Sequence, residues 1–302
     1  MTILLHIFYT NILPIFVVIG AGYTLARTLR LEAKPFSRLA FYVLAPCLTF
    51  VSLVQNRING DELGRIVLFI TLNTLAVGVI TWLIARALRL NRPVESALLL
   101  STIFVNCGNY GIPLNLFAFG ESAQARAIVY LVVLATLSNT VGVYLAARGR
   151  ASGRQALRNL IKVPLVYAVL LAGVVSISGV TVPEPVFKAI ELIGSASVPV
   201  MLLILGMQLA QTSIARHLKI TGLGTFIRLI VAPILAFGLA ALLGLRGITR
   251  QTMIVEASTP TAVTSTILAL EFDTRPDLVT SVVFLSTLLS PLTITAVIAL
   301  VR

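Results

Sequence analysis

Asn106, Gly108, Asn109, Gly111 and Pro113 interrupt an otherwise apolar stretch that runs from about Val94 to Gly120. The two asparagines bring donors and acceptors without a fixed charge. The glycines let the backbone leave helical geometry at little cost. Proline suits the first turn of a new helix, where its missing N–H has no partner to lose. About 20 residues cross about 30 Å of hydrocarbon as a helix, so the stretch is long enough to span a bilayer. A break at its centre leaves backbone groups that lipid cannot satisfy. Such breaks survive only where they are buried in protein or line a cavity, and in carriers they hold the substrate or the coupling ion.

A second apolar stretch, about 250–271, breaks in the same way at Glu256, Ser258, Thr259 and Pro260. Ser258 or Thr259 can cap a second half-helix, and Pro260 can take its first position. Two half-helix N-termini would then meet near mid-membrane. Their free N–H groups and partial positive charge suit a carboxylate. The facing C-terminal ends would offer bare carbonyls suited to a cation. Glu256 closes the first half of this stretch, at the position matching Asn106. A charge there is costly, which makes Glu256 a candidate proton carrier or one ligand of a Na⁺ ion. The alternative places it nearer the surface, paired with Arg246 or Arg250. Asn139 and Ser290 could reach the crossing, and Asn73 less readily. Arg228, about nine residues into its own span, could meet an anion, snorkel to water or pair with a neighbouring helix.

The elements that must position these residues follow from hydropathy. The chain has 302 residues, 58% hydrophobic and 11% charged, where soluble domains carry about 25% charged residues. Apolar runs recur from end to end, predicting an all-α polytopic membrane protein with no separate soluble domain. Ten spans are expected, at about 5–26, 36–55, 64–86, 94–120, 126–147, 161–180, 187–211, 220–244, 250–271 and 278–301. The first apolar run has no basic segment before it, so it is read as a span and not a cleaved signal. The net charge of +12 does not indicate nucleic acid, because Lys and Arg sit mainly in short loops. Loops after the odd-numbered spans hold most of them, including Arg27, Arg30, Lys34, Arg86, Arg89, Arg92, Arg148, Arg150, Arg154, Arg158, Lys162, Arg216 and Lys219. Fewer, such as Arg57, lie on the other side. The positive-inside rule places the first set in the cytoplasm and both termini outside. Cys47, Cys107, His6 and His217 form no metal-binding pattern, and no metal or cofactor is expected.

Prolines and polar residues recur at a spacing of about 150 residues. Pro14 in span one matches Pro164 in span six. Pro46 and Gln55 in span two match Pro199 and Gln208 in span seven, Thr136 in span five matches Thr287 in span ten, and the broken fourth span matches the broken ninth. The repeat unit has five spans, and an odd number inverts the second copy. The expected organisation is therefore residues 1–150 and 151–302 as two inverted repeats, with broken helices four and nine crossing.

The run from Asn106 to Pro113, the ten spans and the outward termini resemble the auxin efflux carrier family, within the bile-acid, arsenite and riboflavin transporter superfamily. The short central loop resembles a bacterial member. The resemblance implies a scaffold from spans one, two, six and seven, and a core from spans three to five and eight to ten, working as an elevator. It also implies a small organic anion as cargo, a carboxylate such as malonate or malate or an auxin-like acid, moved across the cell (inner) membrane. The driving ion would be H⁺ or Na⁺, and the assembly a homodimer. The plant carriers' scaffold acid in span two has no counterpart here, where Cys47, Thr49, Ser52 and Gln55 stand. On these residues Asn106, Gly108, Asn109, Gly111, Pro113, Ser258, Thr259 and Pro260 are the substrate candidates, and Glu256 and Asn139 the coupling candidates. An anion channel using the same half-helices, or a transporter-like receptor, is the alternative. An intramembrane enzyme would need a catalytic constellation, and no His-Glu-x-x-His motif, paired intramembrane aspartates or mid-depth Ser–His pair is present.

Overall fold

A computed structural model describes residues 2–56, 58–146, 164–212 and 218–302. The arginine-rich central loop with Arg148, Arg150, Arg154, Arg158 and Lys162, and also Arg57, Arg216 and His217, lie outside the described residues. The described chain is helical, and its only β-type pairing is one isolated bridge. Among the described residues, seven helices are long and apolar enough to cross a bilayer. They are α1 (Ile3–Thr28), α2 (Ala33–Gln55), α3 (Gly60–Ala87), α6 (Glu121–Gly142), α8 (Glu184–Ala210), α9 (Leu218–Leu242) and α12 (Pro276–Val301). Between them stand α4 (Arg92–Ile103) and α5 (Ile112–Phe119), the shorter apolar α7 (Pro164–Ser178), and α10 (Gly247–Ala257) and α11 (Val263–Glu271). The fourth and ninth expected spans are thus the interrupted pairs α4/α5 and α10/α11.

Local chemistry explains where the long helices widen. Five-residue π turns occupy Phe8–Ile12, Ala40–Leu44, Cys107–Gly111 and Ile227–Val231. Each ends two residues before a proline: Pro14, Pro46, Pro113 and Pro233. A proline cannot donate to the carbonyl four residues back, and its ring crowds that carbonyl. Shifting the preceding hydrogen bonds to i→i−5 makes room without ending the helix. A fifth π turn, Ser138–Gly142, has no proline after it, and nothing in its contacts accounts for it.

Packing inverts the pattern of a water-soluble protein. Leu170, Leu192, Leu242, Leu292 and Leu300 are exposed, while Asn73, Thr81, Asn115, Arg228, Glu256 and Ser290 are buried. An apolar exterior of this extent suits lipid, where the polar groups must find partners inside. α1 and α8 meet backbone to backbone. A Cβ on Gly22 would strike the Leu203 carbonyl, and one on Gly206 would strike the Ile19 carbonyl, the close approach that small residues permit in membranes. α2 packs on α7 and α8. α3, α4, α9, α10 and α12 pack among themselves, with α6 against α10 and α11 against α12.

At one end of this second group an ion pair ties three helices. Arg126 Nε of α6 donates to Glu62 Oε1 of α3 at 2.6 Å and to Thr249 Oγ1 of α10 at 3.0 Å. Its Nη1 donates to the Ser122 carbonyl at 2.9 Å, and the Thr249 hydroxyl donates to the same Glu62 oxygen. The side chains of Arg126 and Glu62 are only 11% and 19% exposed. Arg126→Ala is expected to cost about 2–3 kcal/mol, because it strands a mostly buried carboxylate. Arg65→Ala should cost under about 1 kcal/mol, since its partner Asp61 is 81% exposed. Melting curves of the two purified variants test the ordering; equal losses would remove the network's role.

Candidate functional site: the paired helix breaks

The two interruptions lie against each other. Phe104–Asn106 and Pro260–Ala262 run antiparallel, with Val105 bridged to Thr261. Asn106 N donates to Pro260 O at 2.8 Å, and Ala262 N donates to Phe104 O at 2.9 Å. Each break supplies the hydrogen-bond partners that the other lacks, which is how two unwound segments persist in an apolar setting.

The carbonyls left open by the ending helices are also taken. At the end of α4, Ser265 Oγ donates to Leu100 O at 2.9 Å, Thr261 Oγ1 to Ser101 O at 2.7 Å and Arg228 Nη1 to Thr102 O at 2.7 Å. At the end of α10, Ser258 Oγ donates to Ile254 O at 2.7 Å and Thr259 Oγ1 to Glu256 O at 2.8 Å. The Ser258 backbone N–H donates to Val255 O at 3.1 Å, and Arg228 Nη2 donates to Ala257 O. The C-terminal ends are therefore not the bare carbonyl sets that the sequence suggested. Hydroxyls and one guanidinium cover them, the usual way a buried helix end is satisfied.

The carboxylate of Glu256 is fully buried. Its Oε1 accepts from Asn115 Nδ2 at 2.9 Å, and the same amide donates to Gly111 O at 3.0 Å. Gly111 is what lets the two halves approach: a Cβ there would land inside the Glu256 carboxylate. Glu256 Oε2, Asn115 Oδ1, Asn106 Nδ2 and Arg228 Nε are buried without a hydrogen-bond partner in the structure. Four such atoms so close together give a water, an ion or a ligand polar groups to bind at the crossing. Tyr110, in the π turn, joins the crossing to its surroundings. Its ring meets Phe16 of α1 edge-on at 6.2 Å, and its hydroxyl accepts from Ser290 of α12 at 3.0 Å.

The membrane transport protein family matches residues 7–149 and 147–298. The chain belongs to that family. This agrees with the resemblance to auxin efflux carriers drawn from Asn106 to Pro113. An uncharacterised transporter of Methanothermobacter thermautotrophicus is 27% identical over 86% of each chain. Another, of Methanocaldococcus jannaschii, is 26% identical over 87% of this chain and 88% of its own. A Rhizobium meliloti protein named "Putative malonate transporter" is 25% identical over 96% of this chain and 95% of its own.

In this transporter the expected residues fall as follows. Asn106, Gly111, Pro113, Ser258, Thr259, Pro260 and Glu256 are buried at or beside the crossing, and Gly108 and Asn109 are half-buried in the π turn. Pro113 does stand in the first turn of α5. Ser258, Thr259 and Pro260 do not start α11, which begins at Val263 with no side-chain cap. The two hydroxyls instead turn back onto α10. Asn139 is half-buried, and its amide donates to Ala135 of its own helix at 2.8 Å. Glu256 forms no ion pair with Arg246 or Arg250; Arg250 lies over the Phe237 ring at 5.9 Å. Arg228 does not snorkel, since its side chain is buried and turned inward.

Sequence reasoning missed Asn115 as the partner of Glu256. A signal existed: Asn115 lies four residues after Gly111, on the same helix face as the glycine already singled out. The hydroxyls of Thr261 and Ser265 carried no distinguishing pattern in a chain rich in such residues.

Proposed function

We propose that this transporter is a secondary carrier for a small organic anion, working by an elevator movement. The observation that carries the reading is the paired break itself, with the Glu256 carboxylate and the open polar atoms of Asn106 and Asn115 buried beside it. Free N–H groups near such breaks suit a carboxylate. The relative named for malonate makes a dicarboxylate the first cargo to try.

On this reading the chain is ten spans in two inverted repeats, residues 1–150 and 151–302, in the inner membrane with both termini outside. α1, α2, α7 and α8 form the scaffold, and the remaining helices the moving core. Two facts support the division. α1 packs on α8, and α2 on α7 and α8, as one group. One contact across to the other group is apolar, with Leu48 and Val198 against Ile112, Ala127 and Ile128. An apolar face can slide with fewer directional bonds to break.

Glu256 is the coupling residue in this scheme, with Asn139 as the second candidate, its amide donating to Ala135 of its own helix. Saturable uptake of radiolabelled malonate or malate into proteoliposomes tests the function. Single-channel current with no saturation would replace the carrier with a channel. Glu256→Gln keeps the shape and the bond to Asn115 but removes the proton exchange. The expected outcome is uptake that no longer responds to an imposed pH gradient. An unaltered response would make Glu256 structural.

A further inference from the structure

Arg228 stands where the first halves of both broken spans end. Its side chain is fully buried. Nη1 donates to the Thr102 carbonyl in the last turn of α4, and Nη2 to the Ala257 carbonyl in the last turn of α10. Each helix C-terminus carries roughly half a negative charge, so two that meet call for about one positive charge between them. In carriers with broken helices, exposed carbonyls and half-helix C-termini are where a coupling cation binds. Here a side chain from α9 brings that charge. The neighbouring end carbonyls of Leu100, Ser101, Ile254 and Glu256 are already held by hydroxyls. Arg228 is not there to neutralise Glu256, because no ion pair joins them and Glu256 takes Asn115 instead.

We infer that Arg228 is a resident substitute for a coupling cation: its guanidinium fills, from within the fold, the position between two helix C-termini that an exchangeable Na⁺ would otherwise take. The crossing therefore runs without Na⁺, and removing the side chain opens a cation site. This rests on reading the crossing as the transport site, but its test needs no transported solute.

The test is the melting temperature of the purified full-length protein and of Arg228→Ala. The wild type should melt alike in sodium chloride and choline chloride of equal ionic strength. Arg228→Ala should melt lower and recover on adding ethylguanidinium, by on the order of 3 °C once the ion exceeds its Kd about tenfold. Ethylurea, of similar shape and no charge, should not restore it. A rise specific to Na⁺ in the wild type overturns the inference, as does recovery that ethylurea matches or that ethylguanidinium fails to give. If Arg228→Ala does not fold, Arg228→Lys and Arg228→Met decide. Lysine keeps the charge and methionine the bulk, so the lysine variant should melt higher; an equal or higher value for methionine overturns the inference. Failure here leaves the carrier reading intact, whereas an absence of uptake with these shifts present would count against the carrier alone.

Discussion

Gly111→Ala is expected to lower transport by roughly a hundredfold while the protein still folds. The added Cβ would occupy the space of the Glu256 carboxylate. That carboxylate is buried and held by Asn115, so it must leave its partner to make room. The lost hydrogen bond accounts for about 1.5–3 kcal/mol, a modest fall in melting temperature. The larger effect is on function, because a buried acid displaced by about 1 Å no longer meets whatever it serves. Gly238→Ala is the matched control: a Cβ there meets nothing within 4 Å, and uptake should be unchanged. Initial rates of uptake at equal reconstitution read the difference. A wild-type rate for Gly111→Ala would separate Glu256 from transport.

Gly206→Val is expected to have the largest effect on stability. Its Cβ would meet the Ile19 carbonyl and the Tyr23 backbone nitrogen, which are backbone atoms and cannot swing aside. Overpacking against side chains costs about 1–3 kcal/mol. Against backbone the helices must part along their length, so about 3 kcal/mol or more is expected. Gly22→Val should do the same from the other side, through Leu203. Gly20→Ala, with open space around it, should melt within a degree or so of the wild type. If Gly206→Val purifies and melts normally, α1 and α8 are not in backbone contact.

Hydropathy made most of the fold legible, because length and apolar content decide what can span lipid. The breaks were legible for a related reason: breakers and polar residues cluster there, whereas single ones such as Pro291 in α12 and Asn73 in α3 are carried within a continuous helix. The π turns were not legible: four of the five end two residues before a proline, but the turn at Ser138–Gly142 has none, and Pro291 sits inside α12 without one. What the sequence could not show was direction. Ser258 and Thr259 can cap a helix that follows or close one that precedes, and both choices obey the same chemistry. Arg228 sits far enough into its span that a long side chain could reach water or turn inward. Only the positions of Thr102 and Ala257, brought in from other helices, decide. The partner of Glu256 is likewise 141 residues away in the chain; its spacing from Gly111 places Asn115 on the right face but does not name Glu256 as what it meets.

The antiparallel bridge between Val105 and Thr261 has a consequence for biosynthesis. The first unwound segment emerges from the ribosome long before the second exists. At about 5–20 residues per second, some 156 residues separate them by roughly ten to thirty seconds. Through that interval the Phe104 carbonyl and Asn106 amide lack the mates they have in the finished fold, and hydrocarbon offers them none. Until the late half arrives, residues 104–106 must either keep those groups paired as continuous helix or stay near water, so the break takes its final form only after the ninth span is made.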